Sequence, residues 1–267
     1  MNELILHPLG VQLTELRLGH LGREAFPGLE KLLGRHGVIV LPGQHIDDLG
    51  FVEFLKSFGP MAFTAGETAV RGFADLNVVS NVGRTRPPRS TFHTDTSYVR
   101  QPPAYTALRA VHVPRRGGAT VFTNQYRAFE TLPADVRSSL QGRTIRHVMT
   151  GLELGDAEET AADHPVLRRH PISGRTALYL STPARCAAIS GLGASEARRM
   201  IRFLHAHSTR GDNTYRHAWS EGDVVIWDNG CVMHRAEHAD VIGDRVMHRG
   251  MVACYRAGTA ATDRFSS

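Results

Sequence analysis

Apolar positions along the chain repeat first with a helical period and then in the short, dense runs typical of β-strands. Phe26, Leu29, Leu32 and Leu33 recur at helical spacing within residues 23–35, and Val38-Ile39-Val40-Leu41 forms a continuous apolar run stopped by Pro42-Gly43. Asp47 stands at an N-cap position before a second helix, which carries Phe51, Phe54, Leu55 and Phe58 on one face and ends at Gly59-Pro60. From about residue 76 the pattern turns to strands, at 76–79, 105–113, 120–123, 144–149, 166–169, 177–180, 224–227 and 246–255, with turn residues between most of them. One helix interrupts this series, with Ser195 as its expected N-cap and Ala197, Met200, Ile201 and Leu204 on its apolar face. Many strands with few βαβ alternations predict a mainly β fold with flanking helices, an antiparallel double-sheet barrel of jelly-roll type. No repeat, low-complexity tract or long linker divides the sequence, so residues 1–267 are expected to form a single domain.

Composition narrows the classes of function. Of the 267 residues, 42% are hydrophobic and 21% charged, which fits a globular protein and excludes disorder over most of the length. No apolar run approaches the ~18 residues of a membrane span. The opening Met1-Asn2-Glu3-Leu4-Ile5-Leu6-His7-Pro8 lacks the regions of a secretory signal, so a cytoplasmic protein with no membrane partner is expected. The cysteines, Cys186, Cys231 and Cys254, have no C-x-x-C spacing and are expected to be buried free thiols rather than disulfides or zinc ligands. The net charge of +5 comes from arginines scattered along the chain, with only Lys31 and Lys56 as lysines; a nucleic-acid partner would require clustering. Fifteen histidines turn attention to metal or acid–base chemistry.

Three segments carry that chemistry. In an extended Phe92-His93-Thr94-Asp95, residues two apart share a face, so His93 and Asp95 can bind one ion, although a polar turn explains the same residues. A third ligand is available at His234, just beyond the turn Asp228-Asn229-Gly230 that ends an apolar strand. Two histidines and one carboxylate on one side of a metal leave positions open, the arrangement of non-haem Fe(II) oxygenases, whereas zinc more often takes a closed shell. Arg245 and Arg249 share a strand face in Arg245-Val246-Met247-His248-Arg249. Either both point outward into water, or both point inward and need anions to meet them. Thr120, after Gly117-Gly118, can add a hydroxyl to a carboxylate held by arginine.

His93-Thr94-Asp95, Gly117-Gly118-Ala119-Thr120, Trp227-Asp228-Asn229, His234 and Arg245-Val246-Met247-His248-Arg249 resemble the taurine dioxygenase / chlorophenoxyacetate dioxygenase (TauD/TfdA-like) family of Fe(II)- and 2-oxoglutarate-dependent oxygenases. The order and separations match over residues 8 to about 255, with Pro8-Leu9-Gly10-Val11 like the family's opening and Phe58-Gly59-Pro60 like its Phe-Gly turn. The resemblance implies a double-stranded β-helix, with His93, Asp95 and His234 as iron ligands. It implies further that Thr120 and Arg245 hold the distal carboxylate of 2-oxoglutarate. Arg249 matches an arginine that contacts the sulfonate in the taurine enzyme, and Trp227 an aromatic residue near the metal. The implied reaction couples O2-dependent oxidation of a substrate C–H bond to decarboxylation of 2-oxoglutarate into succinate and CO2. A homo-oligomer, dimer or tetramer, is also implied.

The likeness has gaps. Where the taurine enzyme has a sulfonate-binding histidine after the Phe-Gly turn, this chain reads Met61-Ala62-Phe63-Thr64-Ala65-Gly66, which argues against taurine. Arg249 still permits a small carboxylate or sulfonate, and Phe63, Thr64 and Arg89 are expected to converge on the substrate. Arg84, Arg86 and Arg89 line either a lid or, the favoured reading, a solvated loop. His112, His147, His207, His217, His238 and His248 are read as surface or supporting residues. The carboxylate at Asp95 argues against halogenation, where a small residue leaves room for chloride, and for hydroxylation, desaturation or cyclisation of a catabolic or biosynthetic intermediate. The rival class is a jelly-roll ligand-binding protein without turnover.

Overall fold

In a computed structural model, which describes residues 2–64, 66–84, 90–151 and 159–256, the apolar run after Gly222-Asp223 becomes the strand Val224–Asp228 inside a nine-stranded sheet. All five of its residues are buried because both sheet faces are covered. Val224 and Ile226 pack on one side with Phe26, Leu29, Leu33, Phe51, Phe54 and Leu55 of the helices Phe26–His36 and Asp48–Lys56. Val225 and Trp227 pack on the other with Leu108, Phe122 and Met247, the core between two sheets. Val224–Asp228 is flanked by Val38–Leu41 and Tyr105–His112, and beyond the latter come Val246–Val252 and Phe73–Ser80, all antiparallel.

The facing sheet has Thr120–Asn124 between Thr214–His217 and Val232–Ala236. A further three-stranded sheet, Ala161–Pro165, Thr144–Val148 and Cys186–Ile189, is covered by the helix Ala194–Ser208 through Ile145, Ile189, Ala197, Ile201 and Leu204. This is the expected mainly β jelly roll with helices on its flanks. Asp47 caps its helix as expected, its Oδ1 accepting from the Gly50 amide at 2.8 Å.

Several local expectations are corrected. The long helix is capped at Gly193 and not Ser195, without a side-chain cap bond. The last strand ends at Val252: the Ala253 amide turns to the Pro60 carbonyl, and Tyr255 donates its hydroxyl to Asp228 Oδ1 at 2.6 Å. Cys186 and Cys231 are buried free thiols, but Cys254 is exposed. His147 is no surface residue; it is wholly buried, stacked on Tyr179 with ring centroids 5.5 Å apart. Among the described residues no helix is long and apolar enough to cross a membrane.

Candidate metal centre

His93 and His234 come together through the backbone. Their amides and carbonyls exchange two hydrogen bonds, 3.0 and 2.9 Å, as an isolated antiparallel bridge beside the strand Val232–Ala236. Residues paired in this way present side chains on the same face, and the two imidazole centroids lie 4.4 Å apart. Thr94 fixes the next step, donating its hydroxyl to the Leu180 carbonyl at 2.7 Å. Asp95 Oδ1 then sits 3.5 Å from His93 Nε2 and 3.9 Å from His234 Nε2. Both separations are below the ~4.2 Å that two atoms can span when each is about 2.1 Å from one ion.

The protonation pattern also suits a metal. His93 Nδ1 meets the Thr91 carbonyl at 2.9 Å. A carbonyl only accepts, so Nδ1 carries the proton and the Nε2 lone pair faces the cluster. Burial pushes the His234 imidazole down to about 3, against the raising effect of Asp95, so it is neutral at physiological pH. Burial alone would raise the Asp95 pKa. The charges that face it, the Arg249 guanidinium 3.8 Å away among them, outweigh it and hold the carboxyl far below the usual carboxylate range. One anionic and two imidazole donors, partly open to a groove of about 570 Å³ lined by Thr91, Thr182 and Arg185, fit a divalent ion of the iron type.

Asp95 has buried support that sequence reading missed. Thr106 donates its hydroxyl to Asp95 Oδ2 at 2.8 Å, and Asn229 Nδ2 donates to the Thr106 hydroxyl at 2.9 Å. Thr106 is the second residue of the strand Tyr105–His112 and lies opposite Trp227, so no local motif in the sequence announces its role. Thr106→Val keeps shape and burial but removes the donor that orients the carboxylate. It is expected to weaken Fe(II) affinity about 10–100-fold in a metal titration, while secondary structure is retained.

Arg245 and Arg249 both turn inward. They share strand parity with Met247, which lies in the core between the sheets. Arg245 is 1% exposed, and among the described residues no carboxylate lies within salt-bridge reach of it. Its Nε donates to the Gly118 carbonyl at 2.9 Å and its Nη2 to Thr120 Oγ1 at 3.5 Å. Burial pushes this guanidinium down to about 10. Gly118, at φ +74°, permits the close approach: a Cβ there would lie 3.0 Å from Arg245 Cδ. Trp219, which the sequence reading overlooked, also donates its Nε1 to Thr120 Oγ1, at 3.0 Å.

Other nominated residues divide. Trp227 is fully buried, with its ring 4.5 Å from that of His234, so it packs against a candidate ligand as well as in the core. Thr64 is buried, its hydroxyl 3.4 Å from that of Thr96, while Phe63 is 39% exposed; both line a cavity of about 170 Å³ beside the ligand segment. Arg249 does not wait for an external anion, because Glu67 already meets it. Arg84 is exposed and bonds the Ser80 carbonyl; Arg86 and Arg89 lie outside the described residues.

A second cluster, His170, Asp228 and Cys231, is spoken for internally. His170 Nδ1 accepts from the Ser173 amide at 3.1 Å, so its Nε2 donates to Asp228 Oδ2 at 2.9 Å. Burial raises the Cys231 thiol, which is not a thiolate.

The family described as "Taurine catabolism dioxygenase TauD, TfdA family" matches residues 6–251. The chain is 31% identical to the alpha-ketoglutarate-dependent 2,4-dichlorophenoxyacetate dioxygenase of Cupriavidus pinatubonensis, across 91% of this chain and 94% of that protein. It is 29% identical to the alpha-ketoglutarate-dependent sulfate ester dioxygenase of Pseudomonas putida, across 88% and 84%. The solved structure of AAD-2 in complex with Mn(II) and N-oxalylglycine aligns with a TM-score of 0.83 at 25% identity, covering 94% of this chain and 97% of that one. The match spans both sheets and every ligand segment, and the chain belongs to the TauD/TfdA family of Fe(II)- and 2-oxoglutarate-dependent dioxygenases.

Proposed function

We propose that the protein hydroxylates an unactivated C–H bond of a small organic substrate, with His93, Asp95 and His234 holding Fe(II). Thr120 and Arg245 hold the distal carboxylate of 2-oxoglutarate, and Arg249, Phe63 and Thr64 border the substrate. The observation that carries this reading is the pairing of the ligand cluster with a buried cation, Arg245, that has no carboxylate within reach among the described residues. His234 opposes Phe122, and Ala236 opposes Thr120, in one antiparallel register. Thr120 therefore lies on the same sheet face as His234, about 7 Å along the strand. That separation suits a short dicarboxylate held at the metal by one end and at Arg245 by the other.

Fe(II) with 2-oxoglutarate and O2 supplies the oxidising power for the C–H bond, releasing succinate and CO2. The chain supplies placement. Asp95 stays ionised, His93 turns Nε2 toward the ion, His234 stays a neutral donor, and Arg245 forms a forked pair with a carboxylate that fixes direction as well as charge. Trp227 and Phe122, both fully buried, keep water from the His234 side. The two packed sheets and their helices support a single catalytic domain over the chain.

The test is a turnover assay with Fe(II), 2-oxoglutarate, ¹⁸O2 and a panel of small aryl ethers, sulfate esters and alkyl compounds. The expected product gains one labelled oxygen atom per succinate formed. A product that loses two hydrogens and gains no oxygen would replace hydroxylation by desaturation or ring closure.

A further inference from the structure

Arg249 shares the face of Arg245, but its surroundings are the reverse. Its Nη2 donates to the Glu67 carboxylate and to Asn77 Oδ1 at 3.4 Å, and its Nη1 lies 3.8 Å from Asp95 Oδ1. The contact with Glu67 is built by the sheet. Arg249 opposes Asn77 on one side of the strand Phe73–Ser80, and Ala69 opposes the same Asn77 on the other, two residues after Glu67. The Glu67 amide is tied back to the Thr64 carbonyl at 3.4 Å. Asp95 and Glu67 together outweigh the cost of burying the Arg249 charge.

Among its described lining residues the adjoining cavity brings no cation that could meet an anion. Its walls include Ala62, Phe63, Thr64, Tyr98 and Met251, and among the described residues its one charged lining group is Glu159, whose carboxylate is paired with Arg100. At about 170 Å³ the space accepts a body the size of a single ring, comparable to cavities of ~150 Å³ that take benzene.

We propose that Glu67 is a specificity-determining residue: its carboxylate takes the place on Arg249 that an anionic substrate group would occupy, so the site selects an uncharged substrate. This rests on the reading of the site given above, in which Arg249 borders the substrate. An arriving carboxylate or sulfonate would have to displace Glu67 and approach Asp95, whereas a neutral ether or alcohol leaves the ion pair intact. The small carboxylate or sulfonate that Arg249 permits on sequence grounds is thereby disfavoured by one residue that lies outside every motif of the family likeness.

The experiment uses protein loaded with Mn(II) and N-oxalylglycine, titrated calorimetrically with phenoxyacetate and with its uncharged counterpart 2-phenoxyethanol. Metal-dependent binding of N-oxalylglycine is read first; its absence would count against the site as a whole and not against Glu67. The wild type is expected to bind 2-phenoxyethanol at least about tenfold more tightly than phenoxyacetate. In Glu67→Gln, which keeps the shape and frees the arginine, phenoxyacetate should gain at least about tenfold and reverse the preference. The wild-type ratio reads the proposal without any substitution. Equal binding of the two probes by the wild type overturns it, as does a Glu67→Gln variant with an unchanged ratio or no measurable phenoxyacetate binding.

Discussion

Replacing Asp95 with alanine is expected to empty the metal centre and to lower 2-oxoglutarate turnover by at least about 10³-fold, since a Lewis-acidic metal contributes several kcal/mol and each 1.36 kcal/mol is tenfold. Asp95 is the one anionic member of the cluster, and it is 4% exposed. Its negative charge also joins that of Glu67 in offsetting Arg249, 3.8 Å away, so its loss leaves the guanidinium with one counter-charge fewer beside the place a divalent ion must take. Asp95→Asn retains the shape and the acceptor for Thr106 but not the charge, and it should fall closer to the alanine variant than to wild type. His234→Ala removes a donor that burial keeps neutral, and should be as severe. His93→Ala is expected to be the mildest of the three, because the His93 side chain is 28% exposed and water can take its coordination position. The measurements are iron content after anaerobic loading and succinate formed per minute. Full occupancy with undiminished turnover in all three alanine variants would overturn the assignment.

Much of the scaffold is visible in the amino-acid pattern for physical reasons. Val224, Val225, Ile226 and Trp227 are consecutive apolar residues because helices cover one face and a second sheet covers the other. The strand Val232–Ala236 is harder to see: Val-Met-His-Arg-Ala shows no clear alternation, and it is a strand because Thr120–Asn124 pairs with it. His93, Asp95 and His234 could be nominated from residue chemistry and from the family likeness. Their support could not, since Thr106 and Asn229 are 123 residues apart and meet only through the fold. Parity along residues 245–249 established that Arg245 and Arg249 share a face, but which face was inward depended on the opposing sheet. Glu67 lay outside reach for the same reason, because only the register Ala69–Asn77–Arg249 carries it to the arginine.

Arg245→Met is expected to move two observables in opposite directions, weakening 2-oxoglutarate binding while raising the melting temperature of the ligand-free protein. The guanidinium is buried and has no carboxylate within reach among the described residues, so the folded chain bears its charge at a cost. Burial lowers its pKa to about 10. A cationic group depressed on folding binds its proton less tightly in the native state, so the penalty is present in full below pH 10 and fades as pH rises from there toward the ordinary guanidinium range. At neutral pH it amounts to about 3 kcal/mol. Loss of the bonds to Gly118 and Thr120 returns roughly 1–2 kcal/mol of that. The net gain of about 1–2 kcal/mol corresponds to a few degrees in Tm. Binding of 2-oxoglutarate shifts the balance the other way, because its distal carboxylate supplies the missing anion. Truncating one partner of such a buried, charge-assisted pair costs about 2–5 kcal/mol, or ~30-fold or more in KM. Arg245→Lys should lie between, keeping the charge but not the fork. Thermal melts with and without 2-oxoglutarate, run beside KM measurements, read both effects. A variant that melts lower than wild type and binds 2-oxoglutarate as well would show that Arg245 is a structural cation and that the dicarboxylate is anchored elsewhere.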